Sequence, residues 1–88
     1  MARKGKYTNN VCGHHIKVAR TEKDLNQLEL ATLMSEDYGL RIDQNSISTI
    51  EKGQRYVKYY EIIAFAKALE KNPLWLLYGE NVPEEYLG

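Results

Sequence analysis

Asp43-Gln44-Asn45-Ser46-Ile47-Ser48-Thr49-Ile50-Glu51-Lys52-Gly53 is the stretch on which the reading of the whole chain turns. It has the marks of one short helix. Asp43 is a good N-cap, because its carboxylate can accept from the free amides of the first turn. Gly53 is a good stop, because glycine enters the left-handed region at little steric cost. Ile47 and Ile50 lie three apart and share a face. Gln44, Asn45, Ser48 and Thr49 fall on other faces and carry no large apolar group. Such a helix is shaped to be held from behind and read from in front.

The flanking segments supply what would hold it. Asn10 is expected to cap a first helix running from Val11 to about Lys23, with Cys12, Ile16, Ala19 and His15 on its inward stripe. Asn26 and Glu29 have the spacing of a capping box at the start of a second helix, with Leu25 and Leu30 placed as its hydrophobic staple. Leu30, Ala31, Met34 and Tyr38 continue one face to a stop at Gly39. Leu40-Arg41-Ile42 reads as an extended connector into Asp43, and residues 52–57 as turn and loop. A fourth helix is expected from Tyr59 to about Glu70, facing inward with Tyr59, Ile62, Ile63, Ala66 and Leu69 and with Phe65 at the edge of the stripe. Asn72-Pro73 opens a fifth, since proline suits the first helical position. Trp75 and Leu76 are expected to complete the core. The chain thus divides into a flexible basic arm at 1–9, a helical domain at 10–79 and a short acidic tail at 80–88.

Eighty-eight residues with 43% hydrophobic content fit one small globular domain. There is no apolar run long enough for a membrane span and no basic-then-apolar leader, so a membrane partner is not expected. The lone Cys12 cannot form an intramolecular disulfide and suits a reducing cytoplasm. Net charge is zero, but it is unevenly spread. Residues 1–20 carry Arg3, Lys4, Lys6, Lys17 and Arg20 and no acid. Residues 44–60 carry Lys52, Arg55 and Lys58 against Glu51 alone. The other segments are acidic. A positive face on a neutral molecule is the consequence.

Taken together, Leu25-Asn26-Gln27 with Leu30-Ala31, then Ile47-Ser48-Thr49-Ile50-Glu51-Lys52-Gly53, then Ala66-Lys67-Ala68-Leu69 and Trp75-Leu76-Leu77 resemble the Cro and phage-repressor class of helix-turn-helix proteins, the XRE family. The resemblance covers roughly residues 11–79. It implies an all-α fold, a compact five-helix lambda-repressor-like domain, here with a lengthened turn between helices 2 and 3. Ala31 to Ile47 spans sixteen positions, more than the short turn usual between such helices requires. The resemblance further implies a sequence-specific double-stranded DNA-binding regulator, a repressor acting as a homodimer on a palindromic operator. Gln44, Asn45, Ser48 and Thr49 then stand where bases are read. Gln and Asn pair bidentately with adenine, and Thr touches the thymine methyl. Gln27, Lys17, Lys52, Arg55 and Lys58 stand where phosphate is held, and Arg20 with Glu51 forms a structural ion pair. In two further places the chain departs from the family pattern. Asp43 replaces the common Ser or Thr, and Glu70-Lys71 replaces a glycine-apolar step.

Two other function classes make different demands on the sequence. An antitoxin or anti-repressor would use the same fold as a protein-interaction module, with a protein partner in place of DNA. An enzyme would need a nucleophile-base-acid set, a metal cluster or a phosphate-cradling glycine loop, and none is legible. No cofactor or metal is expected. His14 and His15 point about 100° apart on a helix, which does not favour joint chelation.

Overall fold

A computed structural model describes residues 10–86, which form five α-helices and a final 3₁₀ turn, with no strand among them. The helices are α1 (Gly13–Glu22), α2 (Gln27–Tyr38), α3 (Gln44–Glu51), α4 (Tyr59–Leu69) and α5 (Pro73–Tyr78), and the turn is Glu84–Tyr86. The basic arm lies outside the described residues. Among those described, no helix is long and apolar enough to cross a membrane.

Local chemistry sets most boundaries. At α2 the capping box is complete: Asn26 Oδ1 accepts from the Glu29 amide at 2.7 Å, and Glu29 Oε1 accepts from the Asn26 amide at 2.8 Å. Gly39, at φ +66°, ends the helix. At α3 the Asp43 carboxylate accepts from the Ser46 amide and hydroxyl at 2.8 and 2.9 Å. At α5 Asn72 Oδ1 accepts from the Leu74 amide, with Pro73 in the first turn.

The first helix begins two residues later than expected, at Gly13. Cys12 is its cap residue, and Asn10 reaches the Gly13 amide at 2.6 Å from outside the helix. Gly13 is needed because α1 here meets the end of α3: a Cβ at this position would fall on the Ile50 carbonyl.

Fifteen buried apolar residues make one core. Ile16, Leu30, Met34, Ile47, Ile50, Phe65 and Leu76 are fully enclosed. α2 packs on α3 and α4, α1 on α3, α4 and α5, and α4 on α5. The sixteen-position path from Ala31 to Ile47 is absorbed by the full length of α2 and the five-residue connector 39–43. That connector is itself anchored, with Ile42 buried and Leu40 packed on the core. Both isoleucines of α3 consequently stay pointed inward.

The inward face of α4 differs from the expected one. Tyr59 is 79% and Ile63 47% exposed, whereas Phe65, assigned to the edge, is fully buried with Glu61, Ala64, Ala68 and Leu69. The true stripe is rotated by about one residue step, roughly 100°. A buried Glu61 interrupts the apolar pattern, and the tyrosines beside it imitate one. The turn after α4 keeps a left-handed cap without glycine. Glu70 sits at φ +58°, and the Lys71 amide donates to the Ala66 carbonyl at 2.9 Å. Lys71 pairs with Glu22 and Glu70 with Lys23, which ties this turn to α1.

Two stability outcomes follow. Glu70→Gly relieves a left-handed Cβ strain of about 1–2 kcal/mol and gives up an exposed ion pair worth at most about 1 kcal/mol. Its urea midpoint should rise. Gly13→Ala forces α1 off the Ile50 carbonyl and should cost about 1–3 kcal/mol, as overpacking does. An unchanged midpoint for Gly13→Ala would show that the two helices do not meet this closely in solution.

Candidate nucleic-acid interface

α3 is held from behind by a dry polar clamp. Arg20 on α1 forks onto Glu51, with Nε to Oε2 at 2.7 Å and Nη2 to Oε1 at 3.1 Å. The same guanidinium donates to the Leu25 carbonyl at 2.8 Å, which fixes the link between α1 and α2. Gln27 Nε2 donates to Glu51 Oε1 at 3.0 Å from the first residue of α2. The two charged side chains are 10% and 4% exposed. The expected Arg20–Glu51 pair is therefore formed, and it locks three helices together.

A second clamp closes the far end of α3. Asn10 Nδ2 lies 3.0 Å from the Ile50 carbonyl and 2.9 Å from the Arg55 carbonyl. The Gly53 amide turns back to Ile50 at 2.9 Å with Gly53 at φ +74°. Asn10 was legible only as a helix cap. Its bonds to α3 and to the loop beyond span about forty positions and leave no local signal.

The front of α3 is open. Gln44 and Asn45 are exposed, Ser48 and Thr49 half-buried. With Gln27, the first three line a shallow concavity between α3 and the start of α2. The side chains of Gln44, Asn45 and Ser48 make no hydrogen bond to the described residues. Thr49 differs, because its hydroxyl turns back onto the Asn45 and Ser46 carbonyls at 3.1 and 3.0 Å. What it presents outward is a methyl and a lone pair. Asp43 is an exposed acid on this side. Its capping bonds to the Ser46 amide and hydroxyl hold its carboxyl below the ordinary 3.8, so the charge faces the helix N-terminus that stabilises it.

The five residues expected to hold phosphate separate into two groups. Lys17, Lys52 and Lys58 are exposed and make no ion pair among the described residues. Arg55 is committed elsewhere: its guanidinium forks onto Glu61 with both distances at 3.1 Å and donates to the Tyr56 carbonyl at 3.0 Å. Gln27 is committed too, through its Nε2 bond to Glu51. A carboxylate can only accept, so the Gln27 oxygen and the second N–H of its amide are left over. For an anion, the main-chain amide of the first helical turn stands beside that remaining N–H as a donor.

Glu61 is the residue that sequence reasoning missed. It is 4% exposed. Burial raises its pKa, but the Arg55 fork and the Lys58 amide at 2.9 Å outweigh this and leave it below the ordinary 4.5. The Lys58 to Glu61 spacing is a capping-box signal, but Lys58 is not a capping residue by type, so the signal carries little weight. His15 likewise has a structural partner, its Nδ1 lying 2.8 Å from the Leu76 carbonyl. Among the described residues no three His, Cys, Asp or Glu are grouped to hold a metal ion.

No family model, curated protein or solved structure matches this chain.

Removing Arg20 alone as Arg20→Leu leaves Glu51 buried without its charge partner and should cost about 3–5 kcal/mol. Replacing both, with Glu51→Met, should recover part of that loss, as a double-mutant cycle by urea denaturation would show. The Arg55–Glu61 clamp sets a pH dependence. The folded Glu61 pKa lies below its unfolded value, so this stabilisation is complete above about pH 4.5 and is lost as pH falls through the folded value. Glu61→Gln should be less stable at neutral pH and lose less on acidification. A parallel acid profile for the two proteins would contradict the assignment.

Proposed function

We propose that this chain is a sequence-specific double-stranded DNA-binding regulator of the repressor kind, cytoplasmic and dimeric on a palindromic operator. On this reading its fold is a lambda-repressor-like helix-turn-helix domain, with α2 and α3 as the paired helices and the connector 39–43 as the lengthened turn. α3 enters the major groove. The observation that carries the proposal is the contrast between the two sides of α3. Its back is clamped by Arg20, Gln27 and Asn10 and anchored by Ile47 and Ile50, while Gln44, Asn45 and Ser48 stand in front with no partner in the described protein. A helix held this rigidly with unspent amide and hydroxyl groups has the preorganisation that base reading demands.

The roles then divide by chemistry. Gln44 and Asn45 offer paired donor and acceptor groups to adenine. Ser48 donates or accepts, and Thr49 offers its methyl to thymine. Lys52 and Lys58 supply phosphate contacts around the exit of α3, with Lys17 on α1 as a third cation. The first-turn amides of α2, at Gln27, provide an anion seat that needs no side chain. Arg55 moves from phosphate contact to support of the loop that carries Lys58.

The protein-interaction alternative, an antitoxin or anti-repressor, draws on one specific feature, the exposed Tyr56, Tyr59, Tyr60 and Ile63. It does not account for the unspent amides on α3.

Fluorescence anisotropy on a duplex selected from a random library would test the assignment. Gln44→Ala should lose about 1–3 kcal/mol of discrimination at one base pair. Lys58→Ala should weaken all sequences alike and reduce the salt slope by about 1. Gln27→Ala should act mainly through stability, since its side-chain amide is bound to Glu51. Uniform effects of Gln44→Ala and Lys58→Ala on every sequence would remove α3 from the base-reading role.

A further inference from the structure

The outward face of α4 is apolar and aromatic, and no element among the described residues packs on it. Tyr59 is 79%, Ile63 47% and Tyr60 43% exposed, and Lys67 is exposed one turn beyond Ile63. Tyr59 and Tyr60 touch each other edge to face at 5.4 Å, and Lys58 leans over Tyr60. Ile63 has no core role, and Lys67 makes no ion pair among the described residues. The C-terminal surface is another apolar candidate, with Tyr78 37% and Tyr86 52% exposed, but its aromatic side chains already have partners within the described chain. Trp75 is packed by His15 and Lys71 and bonded to Glu80, and Tyr78 is met by Tyr86 of the returning tail.

We infer that the outward face of α4 docks a second copy of this chain, the two α4 helices running antiparallel about Ile63. The pattern is self-complementary in that arrangement and in no parallel one. Tyr59 lies four residues before Ile63 and Lys67 four after, so a two-fold axis at Ile63 sets each Tyr59 ring opposite the partner's Lys67 ammonium. Ile63 meets its own copy on the axis. Each ring face attracts a cation, and the pairing is made twice. The two Lys67 groups stand eight residues apart along the axis, about 12 Å at the helical rise. That is beyond the screening length of about 8 Å at physiological salt, so they do not oppose the contact strongly. No acid on the face is left facing another acid: Glu61 points inward to Arg55, and Glu70 is held by Lys23. Tyrosine is also among the residue types enriched at interface hot spots.

This surface rests on the dimeric part of the proposed function and gives that dimer a defined contact. It is tested without DNA, so its failure and that of the DNA-binding reading are separable. Sedimentation equilibrium of the full chain should show a dimer. Ile63→Lys, which sets two like charges on the axis, should raise the dissociation constant by about thirtyfold or more with an unchanged circular dichroism spectrum. Ile63→Cys should cross-link to its own copy on mild oxidation, while Tyr86→Cys should not. The native Cys12 does not interfere, because it is buried and its thiol is pushed up to about 11. A monomeric wild type would overturn the inference. So would a dimer indifferent to Ile63→Lys, or cross-linking through Tyr86→Cys instead. Loss of DNA affinity in a Tyr59→Ala variant that still sediments as a dimer would assign the face to nucleic acid and overturn it as well.

Discussion

The fork between Arg20 and Glu51 is the constraint on which the placement of α3 depends. It joins α1 to the last residue of α3 and, through the Leu25 carbonyl and Gln27, to the start of α2. A pair this dry gains little net free energy, because desolvation offsets most of its attraction. Its value lies in geometry. A bidentate guanidinium tolerates little rotation, and Glu51 has both oxygens engaged. The isoleucines hold α3 to the core without specifying its roll or slide, whereas the fork does specify them.

A second fork, Arg55 to Glu61, repeats the device on the loop leaving α3. The two arginines therefore spend their charge inside the protein. This changes the meaning of the chain's zero net charge. The surface cations around α3 reduce to a few lysines, Lys52 and Lys58 foremost. A sparse set of point charges steers and holds a polyanion without dominating binding, which leaves a larger share of discrimination to Gln44, Asn45 and Ser48. The tyrosines and Ile63 of α4 adjoin this polar front at Lys58, on a face that no element among the described residues covers.

Much of the fold was legible because caps are local. Asn26 with Glu29, Asp43, Asn72 with Pro73, and the glycines at 39, 53 and 79 each act within four residues of themselves. The stripes of α1, α2 and α3 were legible for a related reason: their apolar residues keep helical spacing without interruption. α4 failed that test. Its stripe contains Glu61, which is tolerable inside only because Arg55 meets it, and a fork formed across a loop has no signature in hydropathy. Tyr59 and Ile63 filled the apparent gap in the pattern. The internal partners of Gln27 and Arg55 were illegible on the same ground, since an exposed amide or guanidinium and a committed one are the same letters.

What the amino-acid order determined by itself is therefore the set of helices, most of their ends and the two-sided character of α3, all fixed by interactions within one or two turns. What only the tertiary structure decided is which polar groups remain to be spent. Arg20, Gln27, Arg55 and Asn10 are consumed by partners 5 to 45 positions away, while Gln44, Asn45, Ser48 and Lys58 are left facing out. That sorting is a matter of distance in space, because a donor is used or free according to which acceptor the packed core brings within about 3 Å of it.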